Sequence, residues 1–351
     1  MSRSERKMDH IQFALSTSQA PRTMFDDIRV VHQALPGLGV EDILLQPETG
    51  DLHLKSPVFI NAMTGGGGIQ TERLNALLAR AAKETGMAMA VGSQMSALKN
   101  PVERHTYEIV RKENPDGILF ANLGSEASVQ QAKDAIEMIE ANALQIHLNV
   151  VQELTMPEGD RDFKGALERI QQIADQVDVP IIVKETGFGI SREAARQLEA
   201  VNIAAIDVSG FGGTNFAAIE NERRVRKLAY FQEWGIPTAA AIVETDSVFS
   251  KTVLASGGIQ NALDILKAFI LGADAAGLAG SFLKIAMEKG EKELIAEIQA
   301  LHEDLAMMMT ALGAKSLPEL AHCPAIISGE LFHYLTVRGL DPASFASRVK
   351  N

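Results

Sequence analysis

Cysteine is nearly absent: Cys323 is the single one in 351 residues. No intrachain disulfide is possible, which excludes small stapled scaffolds and fits a reducing compartment such as the cytoplasm. Long apolar runs are also missing. None approaches the roughly 20 residues of a membrane-spanning helix. The start, Met1-Ser2-Arg3-Ser4-Glu5-Arg6-Lys7, leads into no apolar stretch of the secretory type. The expectation is a soluble, cytoplasmic protein. Positive charge is in deficit, with 33 Lys and Arg against 45 Asp and Glu and a net charge of −12. The densest basic cluster, Arg223, Arg224, Arg226 and Lys227, interleaves with Glu220 and Glu222. It reads as a solvated helix face, which argues against a nucleic-acid partner. Small anionic substrates stay open, because the local field of a site outweighs the net sum. No internal repeat or low-complexity segment stands out.

Core-forming material is plentiful. Hydrophobic residues make up 46% and charged residues 22%, and 351 residues suit one large domain with appendages or two smaller ones. From Pro57 the chain becomes regular: apolar runs, Gly or Ser turns, then helical stretches. The pattern predicts strands over 58–61, 88–91, 118–122, 144–148, 181–184, 205–208, 252–256 and 275–279. Helices are predicted over 71–84, 129–140, 163–176, 191–199 and 262–270. Eight strands alternating with helices predict an α/β fold, a (β/α)8 TIM barrel. A ninth apolar run over 238–243 holds three consecutive alanines and suits a helix better. The expected organisation is an N-terminal arm (1–55), the barrel (56–290) and a C-terminal helical extension (291–351) packed on the barrel. Leu52-His53-Leu54 alternates and predicts a small hairpin strand at the barrel floor. In the extension, Leu294, Ile298, Leu301 and Leu305 form one stripe of a long amphipathic helix over 291–312. The stretch 210–235 mixes glycine with charge and is the candidate mobile loop.

The chain is organised around Gln145-Ile146-His147-Leu148-Asn149-Val150-Val151-Gln152-Glu153. Its first half alternates, so Gln145, His147 and Asn149 share one strand face. Gln152 and Glu153 follow where the strand ends, and strand ends are where parallel α/β proteins bind ligands. Taken alone, the window also fits a polar strand with a satisfied core histidine. The other strand ends carry Ala62-Met63-Thr64 with four glycines, Gly92-Ser93-Gln94-Met95, Asn122-Leu123-Gly124, Lys184-Glu185 and Ser209-Gly210-Phe211-Gly212-Gly213-Thr214. The last two strands end in Ser256-Gly257-Gly258 and in Ala279-Gly280-Ser281. Two glycine turns feeding helix N-termini predict a phosphate site built from backbone N–H groups. Lys184 at the barrel mouth can sit against an electron-rich ring such as a reduced flavin. A Schiff-base lysine or a structural pair with Glu185 are its alternatives. Arg6, Lys7 and His10 cluster near the N-terminus, where a frayed basic end is the plain alternative.

Together, Ala62-Met63-Thr64-Gly65-Gly66, Val91-Gly92-Ser93-Gln94, His147-Leu148-Asn149, Gln152-Glu153, Ser209-Gly210, Gly212-Gly213-Thr214-Asn215-Phe216, Ser256-Gly257-Gly258 and Ala279-Gly280 resemble the type 2 isopentenyl diphosphate isomerases. The match runs over essentially the whole chain. Met95 departs from it, since many members carry arginine after Gly-Ser-Gln. The resemblance implies redox-neutral conversion of isopentenyl to dimethylallyl diphosphate with reduced FMN, Mg2+ and NADPH as reductant, in a homo-oligomer, a tetramer or octamer. It implies FMN contacts from Ala62, Met63, Thr64, Ser93, Asn122, Lys184, Ser209, Thr214, Gly257, Gly258, Ala279 and Gly280. Catalysis would fall to Gln152, His147 and Asn149, and Mg2+ to Glu153. Substrate would be bound by Arg6, Lys7, His10, Ser93 and Gln152. The rivals are an FMN-dependent oxidoreductase of the hydroxy-acid type and a phosphate-ligand barrel without chemistry. The first wants a His base beside an Arg clamp, and no His-Gly-Gly-Arg-like string follows the sixth strand.

Overall fold

A computed structural model describes residues 22–65 and 67–349. Numbered in chain order, β1 (Ile28–Val30) comes first and lies outside the barrel. Then follow β2 (Val58–Ile60), β3 (Ala88–Ala90), β4 (Leu119–Gly124), β5 (Ala143–Leu148), β6 (Ile181–Glu185), β7 (Ala205–Asp207), β8 (Thr252–Ser256) and β9 (Ala275–Leu278). These eight run parallel, and β9 pairs back onto β2 to close the barrel. The fold is a (β/α)8 TIM barrel. Both faces of each strand are covered, one by the barrel interior and one by helices, which is why segments such as Ile181-Ile182-Val183 are apolar without a break.

The helices start where the sequence can satisfy their first N–H groups. Ser128 and Gln131 form a capping box on the helix Val129–Ile139, and the Asn261 side chain accepts from Asp264 N ahead of Ala262–Ile270. The alanine run lies in a helix, Thr238–Asp246, buried along most of its length. The stretch 210–235 is folded on itself. It holds the helix Phe216–Glu222, whose N-cap Asn215 also donates to Gln232 O at 2.7 Å, and a 3-10 turn, Ala229–Glu233.

Outside the barrel two elements differ from expectation. Leu52-His53-Leu54 is no hairpin strand: Leu52 ends a 3-10 turn, Gly50–Leu52, and His53 takes φ 48°. Both leucines are nonetheless buried in the barrel floor, so their alternation reflects a plug and no β pairing. β1 pairs antiparallel with β10 (Ala325–Ile327), Ile28 opposite Ile327, tying the two ends of the described chain together. The helix Glu291–Leu312 buries its stripe of Leu294, Ile298, Leu301 and Leu305 as expected. Among the described residues no helix is long and apolar enough to cross a membrane.

The barrel interior is layered. Phe59, Phe120, Ala143, Ile182, Ala205, Leu254 and Ala275 fill the lower layer above Leu52 and Leu54, and the rings of Phe59 and Phe120 meet edge to face at 6.0 Å. Two residues further along the same strands, the pleat brings Asn61, Asn122, Gln145, Lys184, Asp207, Ser256 and Gly277 to the next level. Side chains change there from apolar to polar. Gly277 is required: a Cβ on it would lie 2.5 Å from Phe59 Cζ and 2.8 Å from Asn61 Nδ2.

Candidate active site

Above the polar layer, the C-terminal strand ends enclose a cavity of about 1110 Å3. Fifteen of the residues expected to bind cofactor, substrate or metal, or to catalyse, line it. They are Ala62, Met63, Ser93, Asn122, His147, Asn149, Gln152, Glu153, Lys184, Ser209, Thr214, Gly257, Gly258, Ala279 and Gly280. Thr64 does not. Its hydroxyl donates to Asn75 Oδ1 and its carbonyl accepts from Gly92 N at 2.7 Å, so its side chain braces the loop and is turned away from the cavity. Arg6, Lys7 and His10 lie outside the described residues, as does Gly66.

The organising stretch is folded as its alternation requires. Gln145 points into the polar layer, where its Oε1 accepts from Asn122 Nδ2 at 3.1 Å and its Nε2 donates to Asn61 Oδ1 at 3.2 Å. Two residues on, His147 Nδ1 lies 2.9 Å from Asn122 Oδ1. At Asn149 the strand gives way to a single helical turn, Val150–Thr155, which swings Gln152 and Glu153 onto the cavity wall. Asn149 Nδ2 donates to Glu153 Oε1 at 2.9 Å and Asp160 N donates to Glu153 Oε2 at 2.8 Å. Burial raises the Glu153 carboxyl above its usual range, and the nearby charges of Asp160 and Glu126 add to that. A cation at Glu153 would reverse it.

Lys184 and Glu185 leave β6 in opposite directions and make no side-chain pair. The Lys184 ammonium donates to the Glu185 carbonyl, while the Glu185 carboxylate accepts from Thr186 N at 2.6 Å and Gly187 N at 2.7 Å, and also from Phe188 N. Burial pushes Glu185 up to about 7 against the pull of those donors and of Lys184. Lys184 lies beside His147 in the strand register. Burial, and then the Lys184 charge, lower the imidazole from 6.5 to about 3, so His147 is neutral across the physiological range.

The far wall is made of backbone. Gly210 to Gly213 after β7 and Gly257-Gly258 after β8 pack main chain on main chain: a Cβ on Gly213 would lie 2.5 Å from Gly258 N, and one on Gly257 2.1 Å from Gly210 O. Ser209, in the left-handed region at φ 37°, opens this loop. The two turns expected to cup a phosphate are unequal. The helix after β8 is already capped by Asn261. The helix Gly280–Glu288 after β9 has no side-chain cap, and its Gly280 has space on the Cβ side, with Met63 Cε and Thr214 Oγ1 each 3.9 Å away. Ser281 Oγ is buried there with no hydrogen-bond partner among the described residues, and so is Thr186 Oγ1 on the opposite rim. An open helix N-terminus, an orphaned hydroxyl and glycine loops fit the phosphate of a flavin mononucleotide. Lys184, Asn122 and Ser93 fit its ring system. Glu153 fits a hard divalent cation that keeps waters and takes substrate phosphate oxygens as its other ligands. No group of three or more His, Cys, Asp or Glu among the described residues is placed to cage a metal.

Sequence reasoning missed Asn61 and Asp207 altogether. Asn61 Nδ2 donates to Asp207 Oδ2 at 2.7 Å, and Ser256 Oγ donates to Asp207 Oδ1 at 2.6 Å. The available signal was a polar residue at the C-terminal end of an otherwise apolar strand, which both of them are.

The fold resembles solved flavoproteins at low identity. A mandelate oxidase mutant with a monooxide FMN adduct aligns over 90% of this chain and 92% of its own, with TM-score 0.65 and 18% identity. A flavocytochrome b2 mutant with benzoylformate aligns over 89% and 81%, with TM-score 0.65 and 16% identity. At these identities the likeness speaks for the fold alone. The FMN-dependent dehydrogenase family matches residues 147–325, the span from the organising stretch through both glycine turns. Much nearer in sequence is an isopentenyl-diphosphate delta-isomerase of Bacillus pumilus (strain SAFR-032), 57% identical over 99% of this chain and 98% of the relative. The enzyme of the same name from Geobacillus sp. (strain WCH70) is 56% identical over 99% of this chain and 100% of the relative. Identity above one half along nearly the full length, together with the FMN match, places the chain in the type 2, FMN-dependent isopentenyl-diphosphate delta-isomerase family.

Proposed function

We propose that the protein converts isopentenyl diphosphate to dimethylallyl diphosphate by a 1,3-allylic proton shift, with reduced FMN and Mg2+ bound and NADPH as the reductant. The observation that carries this reading is the convergence of His147, Asn149, Gln152 and Glu153 at the end of β5, facing a backbone phosphate cup across one cavity. The relatives' names support the substrate.

The reaction adds a proton at one end of the allyl unit and removes one from the other, so no electrons are gained or lost. Its difficulty is positive charge building on a tertiary carbon during protonation of an unactivated alkene. Reduced FMN, held by Lys184, Asn122 and Ser93 at its ring and by the Gly280 turn at its phosphate, would supply an electron-rich ring able to stabilise this charge. Lys184 holds a positive charge at the cavity base and favours an anionic ring beside it. Gln152 orients the reacting carbon, or relays a proton, through an amide that does not ionise in the normal range. Glu153, fixed by Asn149, would hold Mg2+, whose charge would help bind the diphosphate. Arg6, Lys7 and His10 supply further charge to the diphosphate, with Ser93 on the cavity wall. Arg22 pairs with Glu233, and Thr23 lies against the Gly212 and Gly258 loops at the cavity rim.

A hydroxy-acid oxidase of the same fold needs a guanidinium clamp for its carboxylate. Among the described residues lining the cavity there is no arginine. The test is anaerobic incubation of the protein with isopentenyl diphosphate, Mg2+ and FMN, with and without NADPH. Dimethylallyl diphosphate formed under reducing conditions alone is the expected result. No product from folded, FMN-loaded, reduced protein sinks the isomerase reading.

A further inference from the structure

A row of side chains crosses the barrel beneath the cavity, from β7 through β2 and β5 to β4 and back to β5. Asp207 accepts from Asn61 Nδ2, Asn61 Oδ1 accepts from Gln145 Nε2, Gln145 Oε1 accepts from Asn122 Nδ2, and Asn122 Oδ1 meets His147 Nδ1. Asn61, Asn122, Gln145 and Asp207 are all buried, so each link is made within the protein. An amide can face either way in principle. Here its direction is forced at one end. Asp207 Oδ1 accepts from the Ser209 backbone N–H and the Ser256 hydroxyl, so Oδ2 is the acceptor left for Asn61. Asn61 Oδ1 also accepts from its neighbour Ala62 N at 2.8 Å, and a backbone N–H cannot reverse. With both ends of Asn61 pinned, each following amide must donate toward Asp207 and accept on its other side. The last acceptor, Asn122 Oδ1, then requires a proton on His147 Nδ1.

The geometry points to Asp207 as a positioning residue that acts through three amides to hold His147 as the Nδ1–H tautomer, with its Nε2 lone pair left for the cavity. Asp207 does not line the cavity; it sets what His147 can do. His147 thereby offers a hydrogen-bond acceptor to an N–H or O–H group of whatever occupies the cavity, in the position where the other tautomer would offer a donor. The carboxylate is needed because the chain requires an acceptor-only terminus. Asp207→Asn keeps the shape and breaks the direction: its oxygen stays with Ser209 N–H and Ser256, and its NH2 then opposes the NH2 of Asn61.

The test reads the tautomer directly by 15N NMR of the histidine ring nitrogens, in protein labelled on its histidines and free of substrate. His147 is assigned by its loss in His147→Gln. In the wild type the expected signal is a protonated Nδ1 and a bare Nε2; the opposite tautomer overturns the proposal without any variant. Asp207→Asn is expected to abolish the pure Nδ1–H state, and an unchanged spectrum overturns the role of Asp207. The exchanged pair Asn61→Asp with Asp207→Asn moves the acceptor-only group one link along and keeps every donor aimed at it. It is expected to restore the Nδ1–H signal, which a merely structural role for Asp207 does not predict. If Asp207→Asn fails to fold, the wild-type spectrum and the exchanged pair still decide. A catalytic arm rests on the isomerase reading: turnover should fall about tenfold in Asp207→Asn, the scale of one mispaired buried hydrogen bond, and return in the exchanged pair. The NMR arm needs no turnover, so its failure and the failure of the isomerase reading are distinguishable.

Discussion

Phe120 and Asn122 sit two residues apart on β4 and face the same barrel interior, yet they belong to different regimes. Phe120 packs against Phe59 in a floor closed by Leu52 and Leu54. Asn122 belongs to a buried polar row that ends at His147 and the cavity. The floor is held by apolar burial, which tolerates changes of identity when volume is kept. The polar layer is held by directed hydrogen bonds, where replacing one partner leaves another buried and unpaired. One strand thus carries an apolar floor at one level and a hydrogen-bonded polar row at the next, with a single pleat between them.

Substitutions can break that division. The largest expected effect is on the cavity side: Gln152→Ala should lower turnover on the order of 10² to 10⁴-fold with little change in the urea midpoint. Steady-state rates within a few-fold of wild type would remove Gln152 from the chemistry. On the floor, Phe120→Ala should cost about 3–5 kcal/mol of stability while FMN affinity of the folded protein is kept. Chemical denaturation beside a flavin titration separates the two readouts, and a lost FMN site in folded protein would blur the boundary between layers. Gly277→Ala falls on the boundary itself, since its Cβ would press on both Phe59 and Asn61. It should cost about 1–3 kcal/mol by overpacking and disturb the Asn61–Asp207 bond as well, seen as a changed His147 ring spectrum. A stability loss with an unaltered spectrum would show that the layers are uncoupled.

The smallest effect concerns pH. The folded-state pKa of His147 is depressed to about 3 from 6.5, so between those values the unfolded chain binds the proton and the folded chain does not. Stability from this source is complete above 6.5 and is lost as pH falls toward 3, with a slope of up to about 1.4 kcal/mol per pH unit. His147→Asn should flatten the difference in urea midpoint between about pH 5 and about pH 8; an unchanged difference would mean that other groups carry it.

The barrel strands were legible because two-sided burial writes uninterrupted apolar runs between Gly and Ser turns. Thr252–Ser256 matches its predicted bounds, and the others end within a residue or two. The helix Thr238–Asp246 was legible in its alanines. The β1–β10 pair was not: each strand has three residues, and the partners lie some three hundred positions apart, beyond any local pattern. Leu52 and Leu54 misled because alternation marks which side chains are buried, and a plug buries alternate residues as a strand does. Within the site, strand periodicity placed Gln145 and His147 on one face, where both meet Asn122, while β5 ends before Asn149. It was silent on Thr64, in an irregular loop where no period fixes the side chain's direction. Asn61 and Asp207 were invisible as partners, since nothing local says that β2 and β7 meet across the barrel.

The proton shift proposed for this polar mouth consumes no electrons. Its most direct measurement is the number of product molecules formed per reductant consumed, under anaerobic conditions, with enzyme reduced once and given excess isopentenyl diphosphate and Mg2+. Many turnovers of dimethylallyl diphosphate from a single reduction are expected, with the flavin still reduced at the end. One product per reducing equivalent, or flavin reoxidised in step with substrate, would contradict it and make the protein an oxidoreductase on the same barrel.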